Sequence, residues 1–132
     1  MLQRDDIAQI IEEYDRMKLR IGMTASHSAL DICDGGIEEG FPTVAYCQEG
    51  RHKTYANYFK TKRSSSGRVL RGMVDKAIVM PSFNDVKDES MQIEMRKRNV
   101  VYIPNRSFTS YSSIEDVENK FKVPLFGSRN ML

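Results

Sequence analysis

The chain has 132 residues, a size that favours one domain built on one hydrophobic core. Hydrophobic residues make up 40% of it and charged residues 29%, proportions that fit a globular protein and exclude a disordered or membrane-spanning one. The net charge of +2 is too small to indicate general affinity for nucleic acid. Residues 1–20 are too charged for a secretory signal, so we expect a cytoplasmic protein in which Cys33 and Cys47 are reduced core thiols.

The first predicted elements are a helix and then a strand–helix–strand unit. Apolar residues recur at helical spacing over residues 5–18, which predicts an amphipathic helix whose apolar face holds Ile7, Ile10, Ile11, Tyr14 and Met17. Residues 19–25 predict a buried strand, and Ser26 is expected to be the N-cap of the next helix. Gly40 is expected to end that helix before a second strand over residues 41–48.

The second half of the chain predicts the same alternation less regularly. Residues 74–80 predict a strand, residues 82–99 a loop that leads into a helix, and residues 100–105 a further strand. Residues 112–121 predict a short closing helix and residues 123–127 an extended segment. Alternating strands and helices favour an α/β fold with a mainly parallel sheet that is covered on both faces.

Residues 49–73 form a long basic segment between two of these strands. Its basic residues are Arg51, Lys53, Lys60, Lys62, Arg63, Arg68 and Arg71, and Tyr55, Tyr58 and Phe59 lie among them. Basic and aromatic residues together can bind single-stranded nucleic acid, although a solvated loop with inward aromatic rings is the commoner arrangement. Long loops in compact domains are functional or disordered, so we expect the centre of this one to be a mobile surface loop.

Polar side chains follow the first strand in the stretch "ASHS", residues 25–28. Ligands of open parallel sheets bind beyond the C-terminal ends of the strands, at a topological switch point. The helix that begins here offers free backbone N–H groups and a partial positive charge, which favour a phosphate or carboxylate. Ser26 and Ser28 could add hydroxyl donors, and His27 could donate an N–H. A simple N-cap beside an exposed histidine is the alternative interpretation.

A second polar group follows the last clear strand in "PNRSF", residues 104–108. Asn105, Arg106 and Ser107 place an amide, a guanidinium and a hydroxyl at another strand end. Arginine suits a planar or anionic ligand because its donors form a fixed fork. A polar turn with a solvated arginine is the alternative, but two polar groups at two strand ends of one sheet support each other as a binding site.

The common motifs of phosphate, metal and nucleophilic chemistry are missing from the sequence. It contains neither G-x-G-x-x-G nor G-x-x-x-x-G-K-[ST], and no nucleophile elbow. No His, Cys and Asp residues fall at metal-ligand spacing, and His52 is isolated in the basic segment. We therefore predict no metal site and no catalytic residue in this chain.

Longer motifs resemble the archaeal formate-dependent 5-formaminoimidazole-4-carboxamide ribonucleotide synthetase family, a member of the ATP-grasp superfamily. That family opens with a strand, a Ser-His-[Ser/Thr] turn, a helix and a Glu-Gly-Phe-x-Thr stretch, which is similar to residues 26–28 and 39–43. Its later Pro-His-Gly-Ser-Phe segment and Val-Pro-x-Phe-Gly run are similar to residues 104–108 and 119–129. The resemblance extends from about residue 18 onward, with its pieces in the family's order.

The resemblance implies a Rossmann-like three-layer α/β/α domain of the pre-ATP-grasp type and a concrete activity. Such enzymes join formate to the amine of aminoimidazole carboxamide ribonucleotide in IMP synthesis, with ATP and Mg²⁺, through formyl phosphate. Carried over, His27 would bind the carboxamide or the phosphate, and Ser107 would donate a hydrogen bond. Ser26 and Ser28 would cap the helix and reach the phosphate, while Arg106 and Asn105 would add ligand contacts. The resemblance also implies a homo-oligomer. The small net charge and the lack of a long apolar run predict no binding to nucleic acid or membrane.

The same resemblance implies a domain assignment. Residues 1–132 would be a single N-terminal substrate-binding domain, because the chain stops at "FGSRNML", where the family passes into its ATP-grasp domains. Those domains would hold ATP and Mg²⁺, so we expect no ligation by residues 1–132 alone.

One departure from the family keeps alternatives open. Asn105 and Arg106 stand where the family commonly has His-Gly, and a side chain at the glycine position fills space that a ligand could use. The chain could therefore belong to a paralogous ligase with a different substrate. A non-catalytic nucleotide-binding or regulatory module is the alternative from another functional class.

Overall fold

The computed structural model describes residues 4–26, 28–105, 108 and 120–126. The helices and strands along the chain are α1 (Arg4–Glu12), β1 (Arg20–Thr24), α2 (Ala29–Glu38), β2 (Thr43–Gln48), β3 (Lys62–Arg63), β4 (Val69–Arg71), β5 (Lys76–Met80), α3 (Glu89–Lys97) and β6 (Val100–Tyr102). Strands β1, β2, β5 and β6 form a parallel sheet in the order β5-β2-β1-β6, and β3 pairs with β4 in a separate antiparallel hairpin.

The strand order contains one reversal of direction. The chain runs outward from β1 to β2 and β5, and then returns to place β6 on the other side of β1. Met23 of β1 pairs with Ala45 of β2, and Gly22 pairs with Tyr102 of β6. The carboxyl ends of β1 and β6 therefore flank the switch point of the sheet.

One face of the sheet is covered by α3 and the 3₁₀ turn before it. Val44 and Tyr46 of β2 point to this face and join a cluster of fully buried side chains, which also contains Met80, Phe83, Val86, Met95, Val100, Tyr102, Phe108, Phe121 and Val123. Gly22 allows this packing, because a Cβ there would lie 2.6 Å from Cγ1 of Val100. Ser82 and Asp85 form a capping box that starts the 3₁₀ turn Phe83–Lys87.

The opposite face of the sheet is covered by α2 and the π-helical turn Thr54–Tyr58. Ala45 and Cys47 of β2 alternate to this side, where they meet Met23, Ala29, Cys33 and Val74. The predicted three-layer α/β/α architecture is confirmed, and it explains why all of Thr43–Cys47 is buried. Both cysteines are free and buried, as predicted, and burial raises the pKa of each thiol to about 12.

The predicted helix over residues 5–18 is wrong in its second half. α1 ends at Glu12, and Arg16–Lys18 form a separate 3₁₀ turn because the Asp15 side chain accepts a hydrogen bond from the Met17 backbone N–H. Met17 is 92% exposed, whereas Tyr14 is buried and its hydroxyl donates to the Val100 carbonyl at 2.7 Å. The apolar spacing therefore overestimated both the length of the helix and the burial of its face.

The basic segment 49–73 is structured where we expected a mobile loop. After the turn Thr54–Tyr58, residues 62–71 form the β3–β4 hairpin, and Gly67 takes a φ of +88° at its tip. Tyr55 and Phe59 pack inward against the α2 face, as predicted for the aromatic residues, but Tyr58 is 81% exposed.

The remaining elements agree with the sequence in kind and differ in length. β1, α2, β2, β5, α3 and β6 all lie inside their predicted ranges. Gly40 ends the turn after α2 with a φ of +86°, and its N–H donates to the Ile37 carbonyl. The extended segment near residue 125 adds a parallel bridge from Leu125 to Tyr102. The predicted helix 112–121 lies almost wholly outside the described residues.

Candidate functional site

The candidate site is the crevice beyond the carboxyl ends of β1 and β6. In an open parallel sheet, the two connections that leave a switch point turn in opposite directions and open a space between them. β1 continues into the turn before α2, and β6 continues into the segment around Asn105. Ser26 and Ser28 on one side and Asn105 on the other therefore flank the switch point of this sheet.

The turn after β1 brings Ser26 and Ser28 to the start of α2. Ser26 donates its backbone N–H to the Thr24 carbonyl and accepts the Ala29 N–H, both at 2.9 Å, so it lies inside the turn and is not the N-cap that we predicted. The N-cap is Ser28, which takes a left-handed conformation with a φ of 66°. Its hydroxyl makes no capping hydrogen bond. The exposed Ser28 side chain is thus not used to start the helix.

The Ser28 backbone carries strain that its sequence context does not require. Residues other than glycine and asparagine rarely adopt the left-handed region, because the Cβ approaches the following carbonyl. Such strained positions cluster at ligand-binding turns. α2 begins directly after Ser28, so the N-terminus of the helix follows the carboxyl end of β1.

The turn after β6 is organised by Asn105. Its Nδ2 donates to the Thr24 carbonyl at 2.8 Å, and its Oδ1 accepts the Phe108 N–H at 3.0 Å. The residue is only 9% exposed. The Asn105 side chain thus joins the end of β1 to the turn after β6.

A second contact between the same strands lies directly beneath Asn105. The hydroxyls of Thr24 and Tyr102 are 2.5 Å apart, and both residues are buried. Burial raises the pKa of Tyr102, and the contact with Thr24 offsets part of that rise. The phenol therefore stays neutral, and the floor of the crevice carries no charge from either residue.

The three other predicted site residues, His27, Arg106 and Ser107, lie outside the described residues. The structure brings their chain neighbours together: Ser26 and Ser28 on one side of the crevice, and Asn105 on the other. Their predicted contacts with a ligand stay predictions.

A different polar network lies at the amino edge of the sheet, where sequence reasoning found no site. Asp75, just before β5, accepts hydrogen bonds from Arg63 Nε at 2.7 Å and Arg63 Nη2 at 2.8 Å. It also accepts from the Thr61 hydroxyl at 2.7 Å and the Thr43 N–H at 3.0 Å. Burial alone would raise the pKa of Asp75, but the hydrogen bonds from Arg63, Thr61 and Thr43 hold it below its ordinary value. The network attaches the hairpin to β2.

The contacts of Thr24, Tyr102, Asp75 and Arg63 were missed from sequence for a common reason. Thr24 lies 78 residues from Tyr102, and Asp75 lies 32 residues from Thr43. Spacing within an element cannot reveal such pairs. The usable signal was that Thr24 and Asn105 are polar residues at strand ends, which locates them at one edge without showing that they touch.

The described residues contain neither a metal-binding cluster nor a membrane-spanning helix. No group of three or more His, Cys, Asp and Glu residues is placed there to hold a metal ion. Within residues 4–26, 28–105, 108 and 120–126, no helix is long and apolar enough to cross a membrane.

Curated relatives match nearly the whole chain. A protein of Methanopyrus kandleri named "5-formaminoimidazole-4-carboxamide-1-(beta)-D-ribofuranosyl 5'-monophosphate synthetase" is 37% identical over 132 residues, which is 100% of this chain and 33% of the relative. A protein of the same name from Methanobrevibacter smithii is 34% identical over 97% of this chain and 32% of its own length. The chain spans about a third of the length of these relatives, and the resemblance to the archaeal synthetase family is confirmed.

A solved structure and a family model agree with these relatives. The crystal structure of an IMP biosynthesis protein PurP from Thermococcus kodakaraensis superposes with a TM-score of 0.57 at 28% identity, over 83% of this chain and 30% of that one. Residues 21–132 match the family model described as "Protein of unknown function (DUF1246)". Because this match covers most of the chain, from the second residue of β1 onward, the chain belongs to that family.

Proposed function

We propose that this chain is the ribonucleotide-binding domain of a longer ATP- and formate-dependent ligase, which formylates aminoimidazole carboxamide ribonucleotide in IMP synthesis. The observation that carries the proposal is the pairing of two polar turns across the switch point, joined by Asn105 and Thr24. The relatives' printed names state a ribofuranosyl 5'-monophosphate product, which contains the phosphate that such a crevice favours.

The proposal gives each turn a part of the ligand. The turn after β1 would receive the phosphate, because the N-terminus of α2 carries a partial positive charge and the Ser26 and Ser28 hydroxyls are donors. His27 would bind the carboxamide or the phosphate. Across the crevice, Ser107 would donate a hydrogen bond and Arg106 would add an anion contact.

ATP and Mg²⁺ belong to the proposed reaction but not to the described residues. When bound, ATP would supply the phosphoryl group that activates formate toward the substrate amine, leaving ADP and phosphate. The described part of the chain offers no cluster of carboxylates or imidazoles for Mg²⁺, so its residues do not fit the metal. We assign nucleotide triphosphate and metal to the part of the relatives that this chain does not span. This chain would be one N-terminal domain of a cytoplasmic homo-oligomer.

A calorimetric titration tests the proposal. The protein, in its full natural length, is titrated with aminoimidazole carboxamide ribonucleotide, with the dephosphorylated nucleoside, and with inorganic phosphate. We expect the ribonucleotide to bind far more tightly than the nucleoside, and His27→Ala or Ser107→Ala to weaken it. His52→Ala is the matched control, since His52 is the other histidine of the chain and is not one of the predicted site residues.

The outcomes separate the alternatives. Binding that needs both the phosphate and His27, together with formate-dependent conversion of ATP to ADP, supports the ligase. Binding without ATP turnover favours a non-catalytic nucleotide-binding module. No binding of this ribonucleotide, with tight binding of another, favours a paralogous ligase, and no binding of any ribonucleotide contradicts the proposal.

A further inference from the structure

The Asn105 side chain touches both turns of the crevice. Its Nδ2 reaches the Thr24 carbonyl 81 residues away in sequence, and its Oδ1 accepts the N–H of Phe108. These two hydrogen bonds commit one hydrogen of Nδ2 and one lone pair of Oδ1 to the protein backbone. At 9% exposure the side chain presents little surface to a ligand. The contacts of the Asn105 side chain therefore join two segments of this chain to each other.

The contacts of Asn105 close a ring with those of Thr24. The Thr24 carbonyl accepts the Ser26 N–H as well as Asn105 Nδ2, so one oxygen fixes both turns. The Thr24 hydroxyl contacts Tyr102, and the Tyr102 ring packs on Phe108 with centroids 4.9 Å apart. Phe108 returns to Asn105 through its N–H. A shift of either turn would strain this whole ring of contacts, which we name the Thr24–Asn105 clamp.

An asparagine is needed because the clamp uses one donor and one acceptor on the same planar group. A carboxylate would accept from Phe108 but would set negative charge against the Thr24 carbonyl. A serine would be too short to reach both partners, and an apolar residue would leave the Phe108 N–H and part of the Thr24 carbonyl unpaired in a buried place.

From these contacts we infer that Asn105 is a positioning residue, which sets the distance between the two turns through Thr24 and Phe108 and does not bind the substrate itself. The inference rests on the proposed function for the ligand, a ribonucleotide, and replaces the direct contact predicted from sequence. The clamp holds the phosphate-binding turn after β1 at a fixed distance from the turn after β6. The ribonucleotide therefore binds to hydrogen-bond donors of the two turns that are already in position.

The experiment compares Asn105→Ala with wild type in two measurements. Without ligand, amide hydrogen exchange of Phe108 and Ser26 should accelerate, because the clamp is broken before any ligand arrives. In titrations, affinity should fall about tenfold for the ribonucleotide and less for its nucleoside, because only the phosphate-bearing ligand spans both turns. Asn84→Ala is the matched control, since Asn84 is an exposed asparagine on the 3₁₀ turn Phe83–Lys87.

Asn105→Asp gives a second readout that loss of stability alone would not produce. Its carboxylate keeps the bond to Phe108 but repels the Thr24 carbonyl, whereas the protonated acid can donate to that carbonyl. Ribonucleotide affinity, divided by the wild-type value at each pH, should therefore recover as the pH falls. The same ratio for Asn105→Ala should stay flat. This comparison remains available if Asn105→Ala folds poorly.

Four results would overturn or separate the two proposals. If ligand-free exchange is unchanged and affinity is lost only for the phosphate-bearing ligand, Asn105 is a direct phosphate ligand. If wild type binds and Asn105→Ala binds equally well, the positioning role fails while the proposed function stands. If the Asn105→Asp ratio does not change with pH, the donor to Thr24 is not what matters. If wild type binds no ribonucleotide, the proposed function fails and the positioning role fails with it.

Discussion

At the carboxyl edge of the sheet, neutral and buried groups of Thr24, Tyr102 and Asn105 join β1 to β6. At the amino edge, Asp75 and Arg63 join the hairpin to β2 through an ion pair whose arginine side chain is 34% exposed. Both are small polar networks on one sheet, yet they differ in charge and solvent access. The neutral network suits a site whose geometry must not change with pH, whereas the ionic one suits a structural attachment.

The two networks should also respond independently to mutation. Thr24 pairs with Tyr46, three residues beyond Thr43 on β2, so the two networks are roughly 10 Å apart along the strand at about 3.3 Å per residue. Effects of substitutions that far apart, without shared partners, usually add. Each prediction below therefore perturbs one edge and uses the other as the comparison.

Asp75→Ala should give the largest effect. It removes the acceptor for Arg63, the Thr61 hydroxyl and the Thr43 N–H together. We expect the free energy of unfolding to fall by about 2–4 kcal/mol, since hydrogen bonds to a charged group are stronger than neutral ones. Denaturant unfolding measures the change. Ribonucleotide affinity at the other edge should be unchanged for the protein that remains folded.

Asp34→Ala is the control for that loss, because Asp34 is exposed on α2 and makes no ion pair with any described residue. An equal loss of stability in both variants would mean that the Asp75 network contributes nothing beyond a surface charge. A loss of ribonucleotide affinity in Asp75→Ala alone would show that the two edges are coupled, against the independence argued above.

The contribution of Asp75 should disappear in acid. The pKa of Asp75 is lower in the folded protein than in the unfolded chain, where an aspartate has a pKa of about 3.9. The stabilisation is therefore fully present above the unfolded pKa and is lost as the pH falls from there through the folded pKa. The measurement is the difference in the free energy of unfolding between wild type and Asp75→Ala at each pH. Taking the difference cancels the contributions of the other carboxyl groups, which both proteins share. A difference that stays constant into strong acid would contradict the ionic assignment.

Thr24→Val should give a smaller effect at the carboxyl edge. The substitution keeps the shape of the side chain but leaves the buried Tyr102 hydroxyl without its Thr24 partner, which costs about 1–3 kcal/mol. The double variant with Tyr102→Phe should recover most of that loss, because both polar groups are then gone. Unlike the Asp75 effect, this loss should be independent of pH from neutral into acid. A double variant as unstable as the sum of the single ones would mean that the hydroxyls do not interact.

The comparison of edges also shows what the sequence could predict. The alternation of apolar runs and helical spacing predicted β1, α2, β2, β5, α3 and β6, because each is set by contacts within a few residues or by burial on both faces. Polar groups at strand ends located the candidate site at the carboxyl edge. The clamp and the Asp75 network were not predictable in this way, because their partners lie far apart in sequence. The β3–β4 hairpin was missed because its strands have only two and three residues, too few to show a periodic pattern.

Removing hairpin charge should have the smallest effect of all. Lys62 and Arg68 are exposed and make no ion pair with any described residue, and the hairpin is attached at the edge opposite the crevice. Lys62→Ala with Arg68→Ala should therefore leave both the unfolding midpoint and the ribonucleotide affinity at their wild-type values.

The same double variant tests the nucleic-acid alternative, in which exposed Tyr58 and the basic residues would bind a single strand. That alternative requires oligonucleotide affinity that falls steeply with salt and drops in the double variant. Because the hairpin's best-placed arginine, Arg63, is already bound to Asp75, we expect neither.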